Sequence, residues 1–137
     1  MTATVLLFVY GSLRRGSGQA MSLWLAQRAV WEGMACVQGD LYRVSWYPAL
    51  VAGCGQVRGD VYRVPIALLD ELDAYEAIQQ RPDDEYRRDT AQVRMAAGGY
   101  CKAYVYWYRL PVHGLEKVPD GDWQHYFDYA ASLAQSP

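Results

Sequence analysis

The run Val5-Leu6-Leu7-Phe8-Val9-Tyr10, closed by Gly11, constrains the fold more than any other segment. An uninterrupted apolar, β-favouring stretch with no polar residue at alternate positions reads as a strand buried on both faces, and therefore as a central strand. Such a strand needs covering layers on each side. A chain of 137 residues, 52% hydrophobic and 20% charged, can supply them within one compact domain, expected over residues 1–137. The longest apolar stretches fall short of the roughly 18 residues that span a bilayer, so no membrane association is expected. Residues 5–9 are too short and lack the basic flank of a secretory leader, which makes the cytoplasm the default location.

The rest of the chain predicts a mixed α+β order. Gly11 to Gly18 is polar and glycine-rich, a loop, and Ala20 to Val30 is compatible with a helix whose apolar side carries Met21, Leu23, Trp24, Leu25 and Ala29. Two similar strand-like stretches follow, Gly39-Asp40-Leu41-Tyr42-Arg43-Val44 and Gly59-Asp60-Val61-Tyr62-Arg63-Val64, joined by turn-rich residues at 45–48 and 53–55. Pro65 is expected to open a helix that runs from Ile66 to about Glu76. Gln79 to Glu85 reads as loop. Tyr86 to Met95 and Tyr100 to Arg109 form a hairpin around Ala96-Ala97-Gly98-Gly99, and residues 123–134 form a last helix. About six strands and three helices that do not strictly alternate argue for α+β and against a doubly wound sheet.

Charge and cysteine content exclude several classes. A net charge of -2 argues against a general nucleic-acid binder. Residues 1–63 nevertheless carry a balance of +3, and the remainder -5, which leaves room for a small anionic ligand near the N-terminal half. Cys36, Cys54 and Cys101 form no close pair and no CxxC, so neither a disulfide framework nor a metal site is expected. His113 and His125 lie without an evident nucleophile, and no GxSxG elbow is present. The Arg58-Gly59-Asp60 triplet sits inside a predicted strand and reads as coincidence. Of the 12 tyrosines, Tyr100, Tyr104, Tyr106 and Tyr108 share one strand face, and Tyr42 and Tyr62 read as strand residues reaching solvent.

Two places carry chemistry. The loop after the first strand fails both phosphate patterns: Ser17 stands where a Walker lysine belongs, and a third glycine of a dinucleotide fingerprint is missing. A glycine turn at a strand end still exposes backbone N–H groups, with the Ser12 hydroxyl and the Arg14-Arg15 pair nearby, and suits an oxyanion or carboxylate. A tight turn with solvated arginines explains the same residues. In the helix before Glu76, rotation by about 100° per residue sets Leu69, Leu72 and Glu76 on one face, with Asp70 and Glu71 toward solvent. A carboxylate on an apolar face, at a helix C-terminus, loses hydration and meets an unfavourable dipole; both raise its pKa toward that of a general acid/base. Alternatively the helix ends by Tyr75, and Glu76 turns to water or pairs with Arg87 or Arg88.

Taken in order, Val9-Tyr10-Gly11-Ser12-Leu13, Tyr47-Pro48-Ala49, Val57-x-Gly59-x-Val61-Tyr62, Leu72-Asp73-Ala74-Tyr75-Glu76, Tyr86-Arg87-Arg88 and Tyr104-Val105-Tyr106 resemble the γ-glutamylcyclotransferase-like (AIG2-like) proteins, from about Val5 to Trp123. The resemblance implies a compact α+β fold on a small mixed β-barrel, with a cavity between the first loop and the helix bearing the acidic residue. It implies cyclisation of an L-γ-glutamyl amine or amino acid to 5-oxoproline with release of the amine, without metal or organic cofactor. Glu76 matches the family's general acid/base, and Tyr10, Gly11, Ser12 and Leu13 match its substrate-binding loop, with Tyr106 beside the cavity. Ala77 stands where many relatives have glycine, and the Gln79 to Glu85 loop bears on what fits. A non-catalytic small-metabolite binder on the same fold is the alternative.

Overall fold

The computed structural model describes residues 3–45, 47–75 and 84–126. Strands β1 (Thr4–Val9), β2 (Val30–Arg43), β3 (Pro48–Pro65), β4 (Tyr86–Met95), β5 (Tyr100–Tyr108) and β6 (Glu116–Lys117) are accompanied by helices α1 (Ala20–Arg28) and α2 (Leu68–Tyr75). A further helical turn occupies 123–126. The strands run in the order β3-β1-β5-β4-β2-β6, and an additional β3–β2 pairing closes the first five into a barrel with β6 outside it. The barrel is mixed because β1 and β5 are parallel while the other neighbours are antiparallel.

β1 is central, as its unbroken apolar run requires. Phe8 faces the barrel interior with Val37, Leu41, Val61, Val93 and Val105, whereas Leu7 and Val9 face outward into a second cluster with Leu25, Leu69, Leu72 and Tyr106. Each side of the strand therefore belongs to a different core. The second core is roofed by the two helices. Leu69 and Leu72 of α2 are buried and Asp70 and Glu71 exposed, in keeping with the rotation argument. On α1 the buried apolar residue is Leu25, while Leu23, expected on the same side, is 63% exposed.

Several boundaries differ from the sequence reading. α1 stops at Arg28, and residues from Val30 onward already belong to β2. The stretch 53–55, expected as a turn, lies within the 18-residue β3. There the ladder slips: Gln38 faces Gln56, yet Asp40 faces Val51, so several residues of β3 bulge against Gly39. Gly53 and Gly55 leave room for the Asp40 carboxylate, which a Cβ on Gly53 would meet at 2.2 Å and which accepts the Gly55 N–H at 3.2 Å. Pro65 closes β3 and does not open a helix; a turn at 66–67 intervenes before α2. Tyr62 does not reach solvent: it is 1% exposed, and burial, ahead of the nearby Asp60 charge, raises its phenol pKa. The β4–β5 hairpin turns where expected, with Gly98 and Gly99 at φ 115° and 82°, a conformation suited to glycine. The last helix begins at Trp123 as read; residues 127–134 lie outside the described residues.

Candidate active site

The parallel pairing of β1 with β5 locates the site. Leu7 lies opposite Tyr104, so two residues further along both strands the chain leaves β1 beside Tyr106. Tyr10 turns inward and its hydroxyl donates to the Tyr106 carbonyl, while the Tyr106 hydroxyl donates to Asp73 Oδ1 of α2 at 2.8 Å. Arg88 from β4 holds the other Asp73 oxygen at 2.8 Å. Arg87 lies 4.0 Å from Asp89, and both side chains are largely exposed. Ser12 and Tyr75, the last residue of α2, join through their hydroxyls at 2.7 Å. Loop and helix end thus meet directly.

The loop keeps its shape through buried charge. Arg14 is 8% exposed and pairs with Asp60 at 3.3 Å and Asp122 at 3.0 Å. Asp60 also accepts the Arg15 backbone N–H at 3.0 Å and Trp31 Nε1–H at 3.2 Å. The Arg15 guanidinium stacks 4.2 Å over the Trp31 ring. Arg15 stays exposed over the Trp31 ring, whereas Arg14 is neither solvated nor open to an anion and fastens the loop. Asp60, dismissed in sequence as part of a chance triplet, is its anchor. Within the loop, Gly11 and Arg14 carbonyls accept from the N–H groups of Arg14 and Ser17, and the Ser17 hydroxyl donates to the Ser12 carbonyl at 2.6 Å.

Between this loop, the end of α2 and the starts of β3 and β4 lies a cavity of about 200 Å³. Tyr10, Gly11, Ser12, Leu13 and Tyr106 all line it, together with Tyr47, Pro48, Tyr75, Glu85 and Tyr86. A Cβ on Gly11 would come 3.1 Å from Pro48 Cγ, so a side chain there would press on the cavity wall. Glu76 lies outside the described residues.

In the sequence Glu85 closes the polar Gln79 to Glu85 loop, which bears on what fits the cavity. Its carboxylate accepts the Tyr47 hydroxyl at 2.7 and 2.9 Å on its two oxygens. Burial, and then the hydrogen bond and charge of Glu85, push the Tyr47 phenol up to about 12, and burial with the same charge raises Tyr108. Only folding brings Tyr47 and Glu85 together, so no local spacing signals the pair. Among the described residues, no cluster of three His, Cys, Asp or Glu side chains could hold a metal ion, and no helix is long and apolar enough to cross a membrane.

Comparison with known proteins gives the family and the fold. The family model for gamma-glutamyl cyclotransferase, AIG2-like, matches residues 7–125. The Escherichia coli gamma-glutamylcyclotransferase family protein YtfP is 37% identical over 117 residues, covering 85% of this chain and 94% of that protein. Its solution structure superposes with a TM-score of 0.62, at 35% identity over 86% of this chain and 95% of that one. An AIG2-like protein of Mus musculus gives a TM-score of 0.69 at 25% identity, covering 87% and 88% of the two chains. With its mixed barrel, its loop after β1 and a family match over most of its length, the chain belongs to the gamma-glutamyl cyclotransferase, AIG2-like family.

Proposed function

We propose that the protein is a cyclotransferase that converts an L-γ-glutamyl amine or γ-glutamyl amino acid to 5-oxoproline and the free amine. The substrate's α-nitrogen attacks its own γ-carbonyl carbon, closing a five-membered ring. The carbonyl becomes a transient oxyanion, and its collapse breaks the bond to the leaving nitrogen. Glu76 takes the proton from the attacking nitrogen and returns it to the leaving one, so the reaction is redox-neutral and calls on no cofactor. Backbone amides of the Gly11-Ser12-Leu13 turn stabilise the oxyanion or the substrate carboxylate. Because both reacting groups belong to one molecule, most of the acceleration comes from folding the substrate into a ring-closing conformation, the task of a small, largely apolar cavity.

The observation that supports this reading is the contact between Ser12 and Tyr75, which joins the first loop to the residue immediately before Glu76 at the rim of the cavity. The test is incubation with a panel of γ-glutamyl amines and amino acids, with 5-oxoproline measured by mass spectrometry. Glu76→Gln should lower turnover by about 10²–10⁴-fold without lowering the melting temperature. Undiminished turnover in that variant refutes the assigned role. Thermal stabilisation by the same compounds with no product would favour the non-catalytic binder.

A further inference from the structure

The cavity contains one feature that ring closure does not use. Among its described lining residues there is no lysine, arginine or histidine, and the single carboxylate is Glu85. Among the described residues Glu85 has no ion-pair partner; the Tyr47 hydroxyl bridges its two oxygens and fixes the group in the wall. The Glu85 carbonyl accepts the Arg109 N–H at 2.8 Å, which secures its backbone to the end of β5. A carboxylate offers about four acceptor sites, so one hydroxyl leaves most of that capacity for a ligand. Among the described lining residues the charge of Glu85 is uncompensated and the other side chains are apolar, phenolic or hydroxylic, which favours a cation in the cavity and disfavours an anion.

That cation is not the substrate's α-ammonium. In the cyclotransferase reading Glu76 already faces that nitrogen as its base, and a second carboxylate on it would only hold the proton more firmly. The partner that fits without opposing the reaction is a second positive charge, carried on the leaving amine. We propose that Glu85, positioned by Tyr47, is a specificity-determining residue that selects γ-glutamyl substrates whose leaving amine bears a further cationic group; this rests on the cyclotransferase reading above.

The test compares three γ-glutamyl amides of matched length, made with cadaverine, n-hexylamine and ε-aminocaproate, which end in an ammonium, a methyl and a carboxylate. In the wild-type protein kcat/KM should favour the cadaverine amide over the hexylamine amide by about tenfold, the scale of one charge-assisted hydrogen bond. Glu85→Gln should bring that ratio toward one, and Glu85→Lys should turn it round in favour of the ε-aminocaproate amide, an inversion that misfolding cannot mimic. A ratio unchanged in Glu85→Gln, or an equal loss on all three amides, overturns the proposal while leaving the cyclotransferase reading intact. If neither these amides nor the γ-glutamyl amino acids of the panel yield 5-oxoproline, that reading fails. Calorimetric binding of cadaverine against n-hexylamine then decides the role of Glu85: tighter binding of cadaverine, lost in Glu85→Gln, upholds it, and equal binding refutes it.

Discussion

Replacing Asp60 by alanine should cost the protein about 3 kcal/mol, because it strips the acceptor from a loop anchor that solvent does not reach. Asp60 is 2% exposed and serves Arg14 Nε, the Arg15 N–H and Trp31 Nε1–H. Breaking a buried pair by removing one partner typically costs about 3–5 kcal/mol, since the other charge stays behind without compensation. Here Arg14 keeps Asp122 at 3.0 Å, which sets the estimate at the lower end of that range, ~3 kcal/mol. With an unfolding entropy of about 2.1 cal/mol/K per residue, this corresponds to a fall in Tm of about 10 °C. Urea unfolding followed by tryptophan fluorescence measures it, with the midpoint lowered and the m-value unchanged. Arg14→Met in the Asp60→Ala background should recover part of the loss, because it removes the stranded charge. Because the anchored loop lines the cavity, substrate KM should rise as well. A loss below about 1 kcal/mol, or a double variant no better than the single, would show that the Arg14–Asp60 pair is not what holds the loop.

Three other outcomes follow from single side chains. The Tyr62 hydroxyl is buried with no hydrogen-bond partner among the described residues, so Tyr62→Phe should leave stability unchanged or raise it by up to about 1 kcal/mol in the same unfolding assay. Gly59→Ala should destabilise by more than about 3 kcal/mol, since its Cβ would stand 2.2 Å from the Val9 carbonyl and 2.6 Å from the Phe8 ring at the centre of the barrel. Tyr47, whose ordinary phenol value of 10.0 is pushed up to about 12 in the fold, holds its proton more tightly when folded than when unfolded. Its stabilising contribution is therefore complete below pH 10.0 and is lost as pH rises through about 12; Tyr47→Phe should flatten the stability profile in that window and remove one late phenolate from an ultraviolet titration.

Elements with a local cause were legible in the chain. The apolar run of β1, the rotation that buries Leu69 and Leu72, and the Gly98-Gly99 turn depend on neighbours in sequence and were read correctly. The glycine and hydroxyl chemistry of the first loop suits either an anion-binding turn or a plain tight turn, and its residues from Tyr10 to Leu13 line the cavity with Tyr106. The misreadings have one origin. Gly53 and Gly55 resemble turn residues, yet they sit in a strand because the Asp40 carboxylate of the paired strand needs their empty space. Arg14 resembles a solvated anion binder, yet Asp60 and Asp122, both distant in sequence, take it up, while Arg15 does stay exposed.

By itself the sequence determined that a strand buried on both faces would organise the molecule and that an apolar helix face would cover it. These follow from periodicity and side-chain chemistry, which act over a few residues. Only the tertiary structure decided that the barrel closes through β2 and β3, that Arg14 fastens the loop, and that Glu85 enters the cavity on the hydroxyl of Tyr47. Those outcomes depend on partners far apart in sequence. The parallel register of β1 against β5 and the closure of the barrel bring such partners within hydrogen-bond reach, and the cost of burying unpaired charge then holds them there.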